Sequence, residues 1–129
     1  MSIWPADIST NSAPAAIGPY SQAVVHGGLV YCSGQIALDA ETGELIEGDV
    51  SAQAHKCLQN LKAVLLAANT DLDQALKVTV FLKDLEDFAA VNAVYAEYFG
   101  PVFPARACVE AARLPRDVLV EIDCIAAVN

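Results

Sequence analysis

The chain has 129 residues, a mass of 13.6 kDa and a net charge of −9, a length that suits one domain over residues 1–129. With 55% hydrophobic and 18% charged residues and a mean hydropathy of +0.40, it has few charges to cover a small surface, so a homo-oligomer is expected. The acidic balance makes nucleic acid and anionic membrane poor partners, and neither a secretory leader over Met1–Ser12 nor a run of about 18 apolar residues is readable.

Residues 1–18 are rich in Ser, Ala, Pro and Asn and read as an N-terminal arm. Tyr20–Val25 and Leu29–Ser33 are short β-type runs joined by a turn at His26-Gly27-Gly28. After a polar loop over Asp39–Gly48, Asp49 is placed to cap a helix over Val50–Ala68. Its apolar positions (Val50, Ala54, Cys57, Leu58, Leu61, Val64, Leu65 and Ala68) form one stripe. Asn69-Thr70 ends it. Leu76–Leu82 reads as a strand. Asp84 opens a second helix over Leu85–Phe99, with Phe88, Val91, Tyr95 and Phe99 inward, and Gly100-Pro101 stops it. Ala105–Ala111 and Val118–Ala126 are the last strands, joined through Leu114-Pro115. The order ββ-α-β-α-ββ predicts an α+β protomer with both helices on one face of the sheet. Alternation predicts a second, mixed face carrying Thr79, Phe81, Arg106, Cys108, Glu110, Glu121 and Asp123, suited to an oligomer interface with sites built into it.

The four cysteines, Cys32, Cys57, Cys108 and Cys124, have spacings that suit neither zinc nor a disulfide framework. They fit reduced residues of a cytoplasmic protein. No metal cluster, catalytic triad or phosphate-cradling glycine loop is readable. Arg106 sits among apolar neighbours. It is either a structural ion pair with Glu121 or Glu110, or a fork for a substrate carboxylate. Glu121 is either that partner or a carboxylate that orients a water. Cys108 reads as a packing residue offering its backbone rather than a nucleophile, since neither His26 nor His55 is an obvious base. Tyr20, Ser33, Gly34 and Asn92 read as core, bulge and solvated positions or as the lining of a cleft.

In order along the chain, several segments resemble the Rid (YjgF-type) reactive intermediate/imine deaminase family, closest to its RidA subgroup. They are Ala13-Pro14-Ala15-Ala16-Ile17-Gly18-Pro19-Tyr20, Ser33-Gly34-Gln35-Ile36, Val80-Phe81-Leu82-Lys83-Asp84 and Val91-Asn92-Ala93-Val94-Tyr95. The C-terminal set, Pro104-Ala105-Arg106-Ala107-Cys108-Val109, Leu114-Pro115 and Val120-Glu121-Ile122, is the most specific. The resemblance implies a chorismate-mutase-like protomer in a homotrimer with sites in the clefts between subunits. It implies hydrolysis of 2-imino acids, formed from enamines that pyridoxal-phosphate dehydratases release, to 2-oxo acids and ammonia, with no cofactor. In that scheme Arg106 binds the substrate carboxylate, Glu121 and the Cys108 backbone position the water, and Tyr20, Ser33, Gly34 and Asn92 line the cleft. Relatives without the arginine lack the activity. Cys32, where relatives often have Thr, and the short Phe99-Gly100-Pro101 link depart from the pattern. Other roles attached to the family are a non-catalytic 2-oxo acid-binding regulator and a chaperone-like or RNA-cleaving protein.

Overall fold

The computed structural model describes residues 4–128. They form β1 (Ala6–Ile8), β2 (Ala23–His26), β3 (Leu29–Gln35), α1 (Val50–Ala67), β4 (Ala75–Leu82), α2 (Phe88–Tyr95), β5 (Ala105–Glu110) and β6 (Val120–Ala127). The strands make one sheet in the order β1-β2-β3-β6-β4-β5, with β4 and β5 parallel and the other pairs antiparallel.

α1 forms where its apolar stripe falls. The Asp49 side chain accepts from Ala52 N at 3.0 Å, and Val50, Ala54, Cys57, Leu58, Leu61, Val64 and Leu65 are buried. Asn69, at φ 63°, turns the chain so that Thr70 N donates to Leu65 O. Two polar residues in this helix are buried with their bonds made. Asn60 Nδ2 donates to the carbonyls of Ile36 and Leu38, each at 3.1 Å, and Gln53 Oε1 accepts from Leu119 N at 2.9 Å.

Several boundaries differ from expectation, among them the end of β3 at Gln35 and of the second helix at Tyr95, and four differences have a local cause. The arm contributes a strand: β1 pairs with β2, and its short length hid the alternation. Residues 1–3 of the arm lie outside the described residues. β2 begins at Ala23 because Gly18 to Tyr20 is a tight turn, with Tyr20 N donating to Gly18 O at 2.8 Å. The second helix is divided. Leu85–Asp87 is a 3-10 turn capped by Asp84, and the α-helix covers Phe88–Tyr95. The connection Pro115–Asp117 is a turn in which Arg116 (φ 55°) and Asp117 (φ 56°) are both left-handed, so β6 starts at Val120.

The larger correction concerns the faces. Val78, Val80 and Leu82 of β4 are fully buried in the core beneath the helices. Their register partners in β5 are Arg106, Cys108 and Glu110. Partners in register point to the same side, so these three lie on the helix side of the sheet. Phe81 and Thr79 point the other way, and their partners in β6 are Glu121 and Asp123. Arg106 and Glu121 therefore occupy opposite faces, and the expected shared mixed face is wrong. Alternation assigned the small residues Ala105, Ala107 and Val109 to the core. β5 is an edge strand that meets α2 at the rim of the core, where a long polar side chain is accommodated. The face away from the helices carries Tyr31, Thr79, Phe81, Val109, Glu121, Asp123 and Ile125.

Candidate functional site

The residues singled out from the sequence gather into two groups. The first surrounds Arg106. Its Nη1 donates to Asn92 Oδ1 at 2.7 Å. Its guanidinium carbon lies 4.8 Å from the centre of the Tyr95 ring and 5.4 Å from that of Phe88. Phe88, Asn92 and Tyr95 are spaced four and three residues apart and so share one side of α2. Among the described residues no carboxylate pairs with Arg106, which sets aside the ion pair with Glu121 or Glu110. Glu110 instead accepts from Leu85 N at 3.0 Å. Arg106, Asn92, Tyr95, Phe103 and Pro104 line an open depression of about 330 Å³. A cation partly withdrawn from water, backed by rings and anchored by a neutral amide, retains its charge and part of its donor fork for an anion.

The helical stripe marks Phe88 and Tyr95 only as inward positions, whereas in the structure their rings support the arginine. Their i, i+7 spacing around Asn92 carried the signal, but it became readable only once β5 lay against α2. The Tyr95 hydroxyl is buried without a hydrogen-bond partner, and burial pushes it up to about 12.

The second group surrounds Glu121. The β3–β6 register shifts between Cys32 and Gln35, which places Ser33 and Gly34 in a bulge beside β6. A β-carbon at Gly34 would overlap a Glu121 carboxyl oxygen and stand 2.9 Å from its carboxyl carbon, so glycine is what admits the carboxylate here. Ser33 Oγ donates to Ser21 O at 2.6 Å. Tyr20, Ser33, Gly34, Gln35, Glu121 and Arg116 help line a pocket of about 450 Å³. Its outer wall is the arm, held by Gln22. The Gln22 amide donates to the carbonyls of Thr10, Ala13 and Pro14 and accepts from Thr10 N. Gln22 was not anticipated. Glu121 is half-buried, and its carboxyl is raised above the ordinary 4.5, first by burial and then by the nearby Asp123.

Cys108 belongs to neither pocket's lining. Its thiol is raised by burial, with Arg106 opposing in part, which leaves little thiolate near neutral pH and disfavours nucleophilic attack. β5 is an edge strand, so part of its backbone faces away from β4 and is available for contacts. No grouping of His, Cys, Asp or Glu suited to a metal ion occurs among the described residues, and no described helix is long and apolar enough to cross a membrane.

Known proteins resemble this chain over most of its length. The family described as endoribonuclease L-PSP matches residues 10–128. A protein named 2-iminobutanoate/2-iminopropanoate deaminase from Salmonella typhimurium is 54% identical over 122 residues, covering 92% of this chain and 94% of that one. A RutC family protein of Pyrococcus horikoshii is 53% identical over 119 residues, covering 92% and 94%. Among solved structures, Escherichia coli TdcF with bound serine has a TM-score of 0.89 at 45% identity, covering 95% of this chain and 98% of that one.

Proposed function

Since the chain belongs to the endoribonuclease L-PSP family, also called the YjgF/Rid family, we propose that it is a 2-imino acid deaminase acting on substrates such as 2-iminobutanoate and 2-iminopropanoate. The observation that carries this reading is Arg106, paired with no carboxylate among the described residues and held on α2 by Asn92, Phe88 and Tyr95. A guanidinium fork in that state suits a substrate carboxylate.

In the proposed reaction a water oxygen adds to the electrophilic imine carbon and its proton passes to Glu121. Glu121 returns that proton to the amine nitrogen, the C–N bond breaks as the added hydroxyl becomes the carbonyl, and its proton leaves with ammonia as ammonium, so that a 2-oxo acid remains. A protonated imine needs no further activation, so positioning and one proton acceptor suffice. The raised carboxyl of Glu121 brings it closer to the pH at which a carboxylate accepts and returns a proton with little loss. Tyr20, Ser33 and Gly34 shape the surroundings of the water, and the backbone at Cys108 contributes to holding it.

One protomer has Arg106 and Glu121 on opposite faces of its sheet. A site that uses both therefore takes Arg106 from one copy and Glu121 from another, which supports a homo-oligomer with intersubunit sites; the family resemblance favours a homotrimer. The cytoplasm, where pyridoxal-phosphate dehydratases release such imines, is the proposed location.

The test generates 2-iminopropanoate in situ and follows pyruvate. Wild-type protein is expected to accelerate its release, and Arg106→Ala to lower kcat/KM by at least about hundredfold while leaving the oligomer intact. Full activity in that variant removes Arg106 from the mechanism. Binding of a 2-oxo acid without any acceleration selects a non-catalytic regulatory module instead.

A further inference from the structure

The pocket around Glu121 has a second charge that deamination of a small 2-imino acid leaves unused. Arg116 lines this pocket together with the apolar side chains of Ile17, Ile36, Leu38 and Pro115. Its backbone is left-handed at φ 55°, a conformation that residues with a β-carbon adopt sparingly. The turn is stapled in that state. Asp117 N donates to Leu114 O at 3.0 Å, Val118 N donates to Pro115 O at 3.3 Å, and Asp117 takes both ends of the Arg113 fork at 2.8 and 3.2 Å. The neighbouring carboxylate is thus committed to Arg113. Arg116 itself donates through Nη1 to a neutral acceptor, Gly43 O, at 2.9 Å. Glu44 stands 3.9 Å from its Nη2 and is largely exposed, a contact that holds little in water. Arg116 and Glu121 form no ion pair with each other among the described residues.

We infer that Arg116 makes this pocket a site for dicarboxylic 2-imino acids, which carry a second carboxylate on the side chain; the inference rests on the deaminase reading. The substrate's first carboxylate is held by Arg106 of one copy. The imine carbon lies at Glu121 of the next, and the methylene chain runs along the apolar wall to Arg116. The Gly43 carbonyl fixes the guanidinium without neutralising it, which leaves Nε, and Nη2 once the second carboxylate displaces the exposed Glu44, to meet the substrate. The chemistry is unchanged: water adds across C=N, ammonia leaves, and a dicarboxylic 2-oxo acid is released.

Two measurements test this. In the first, calorimetry compares 2-oxoglutarate with 2-oxobutanoate. Wild-type protein is expected to bind the dicarboxylate about tenfold more tightly, as one charge-assisted contact allows. Arg116→Gln should lose that preference, and so should Arg116→Gly, which relaxes the positive φ and separates side-chain loss from any fold effect. A preference under about twofold in wild type, or one that survives in both variants, overturns the inference. In the second, kcat/KM for 2-iminoglutarate is divided by that for 2-iminopropanoate. The ratio should fall about tenfold in Arg116→Gln. Hydrolysis of both imines with the same ratio in wild type and variant overturns the role of Arg116 alone. Hydrolysis of neither imine by wild type overturns the deaminase reading, and calorimetry still decides Arg116.

Discussion

Arg106 illustrates how a single side chain can be kept charged and aimed at low cost. Among the described residues its partners are an amide and two rings, so no carboxylate there cancels the guanidinium before the proposed substrate arrives. Removing the amide should loosen the aim without removing the charge. Asn92→Ala is expected to lower kcat/KM for 2-iminopropanoate by roughly tenfold, mainly through KM, as loss of one hydrogen bond to a charged group implies. Steady-state kinetics at several substrate concentrations separates the two constants. Glu121 makes a different prediction, because its carboxyl is raised by burial and by Asp123. It must be ionised to accept a proton, so the acidic limb of the pH–rate profile should lie above the ordinary carboxylate value of 4.5. Glu121→Gln should lower the rate and erase that limb. The stability effect has the opposite sense. Below 4.5 the group is protonated in both folded and unfolded chains and imposes no charge penalty. As pH rises from there through the raised folded value, the unfolded chain ionises first and stability falls. Urea midpoints across that window should be flatter for Glu121→Gln than for wild type.

The elements explain why these residues stand where they do. The bulge in β3 and the glycine within it admit the Glu121 carboxyl. Gly34→Ala would push that carboxyl aside, and its expected signature is a large loss of turnover with the fold retained, checked by kinetics beside a thermal melt. By contrast, Asp49→Ala removes the cap of α1, a residue that lines neither pocket. It should cost about 1 kcal/mol, a fall in Tm of roughly 3–5 °C, with turnover preserved. Most of the elements were legible beforehand because their signals are local. Asp49 precedes an uninterrupted helical stripe, and Val120, Ile122 and Cys124 alternate with Glu121 and Asp123. The face occupied by Arg106 was not legible. Alternation within β5 shows that Arg106 and Ala107 point opposite ways, but it does not say which way is inward. At a sheet edge the packing of α2 decides that, and this packing is a long-range fact. β1 escaped notice for a related reason: three residues are too few for a period, and their order comes from pairing with β2. The Gln22 clamp on the arm is likewise a product of tertiary folding, since its partners lie 8 to 12 residues away.

At the scale of the molecule, composition and architecture point to the same surface. The sheet face away from the helices carries Phe81, Tyr31, Val109 and Ile125 beside Glu121 and Asp123, and this is where a chain with so few charges can bury apolar area against its own copies. Phe81→Arg is expected to dissociate the assembly and abolish turnover together, as read by light scattering and by the imine assay. A sharper test mixes two inactive proteins. If each site draws Arg106 and Glu121 from different copies, co-refolding Arg106→Ala with Glu121→Gln in equal amounts restores an intact pair in about one site in four under random assembly. Recovery of nothing would place both residues in one subunit, against the opposed faces seen here.

Under the proposed function the opposed faces also make turnover a matter of mass action. In that scheme a lone protomer holds a fork without an acceptor and an acceptor without a fork, so association is a step in building every site. Specific activity should therefore decline on dilution below the dissociation constant of the assembly, and recover on reconcentration.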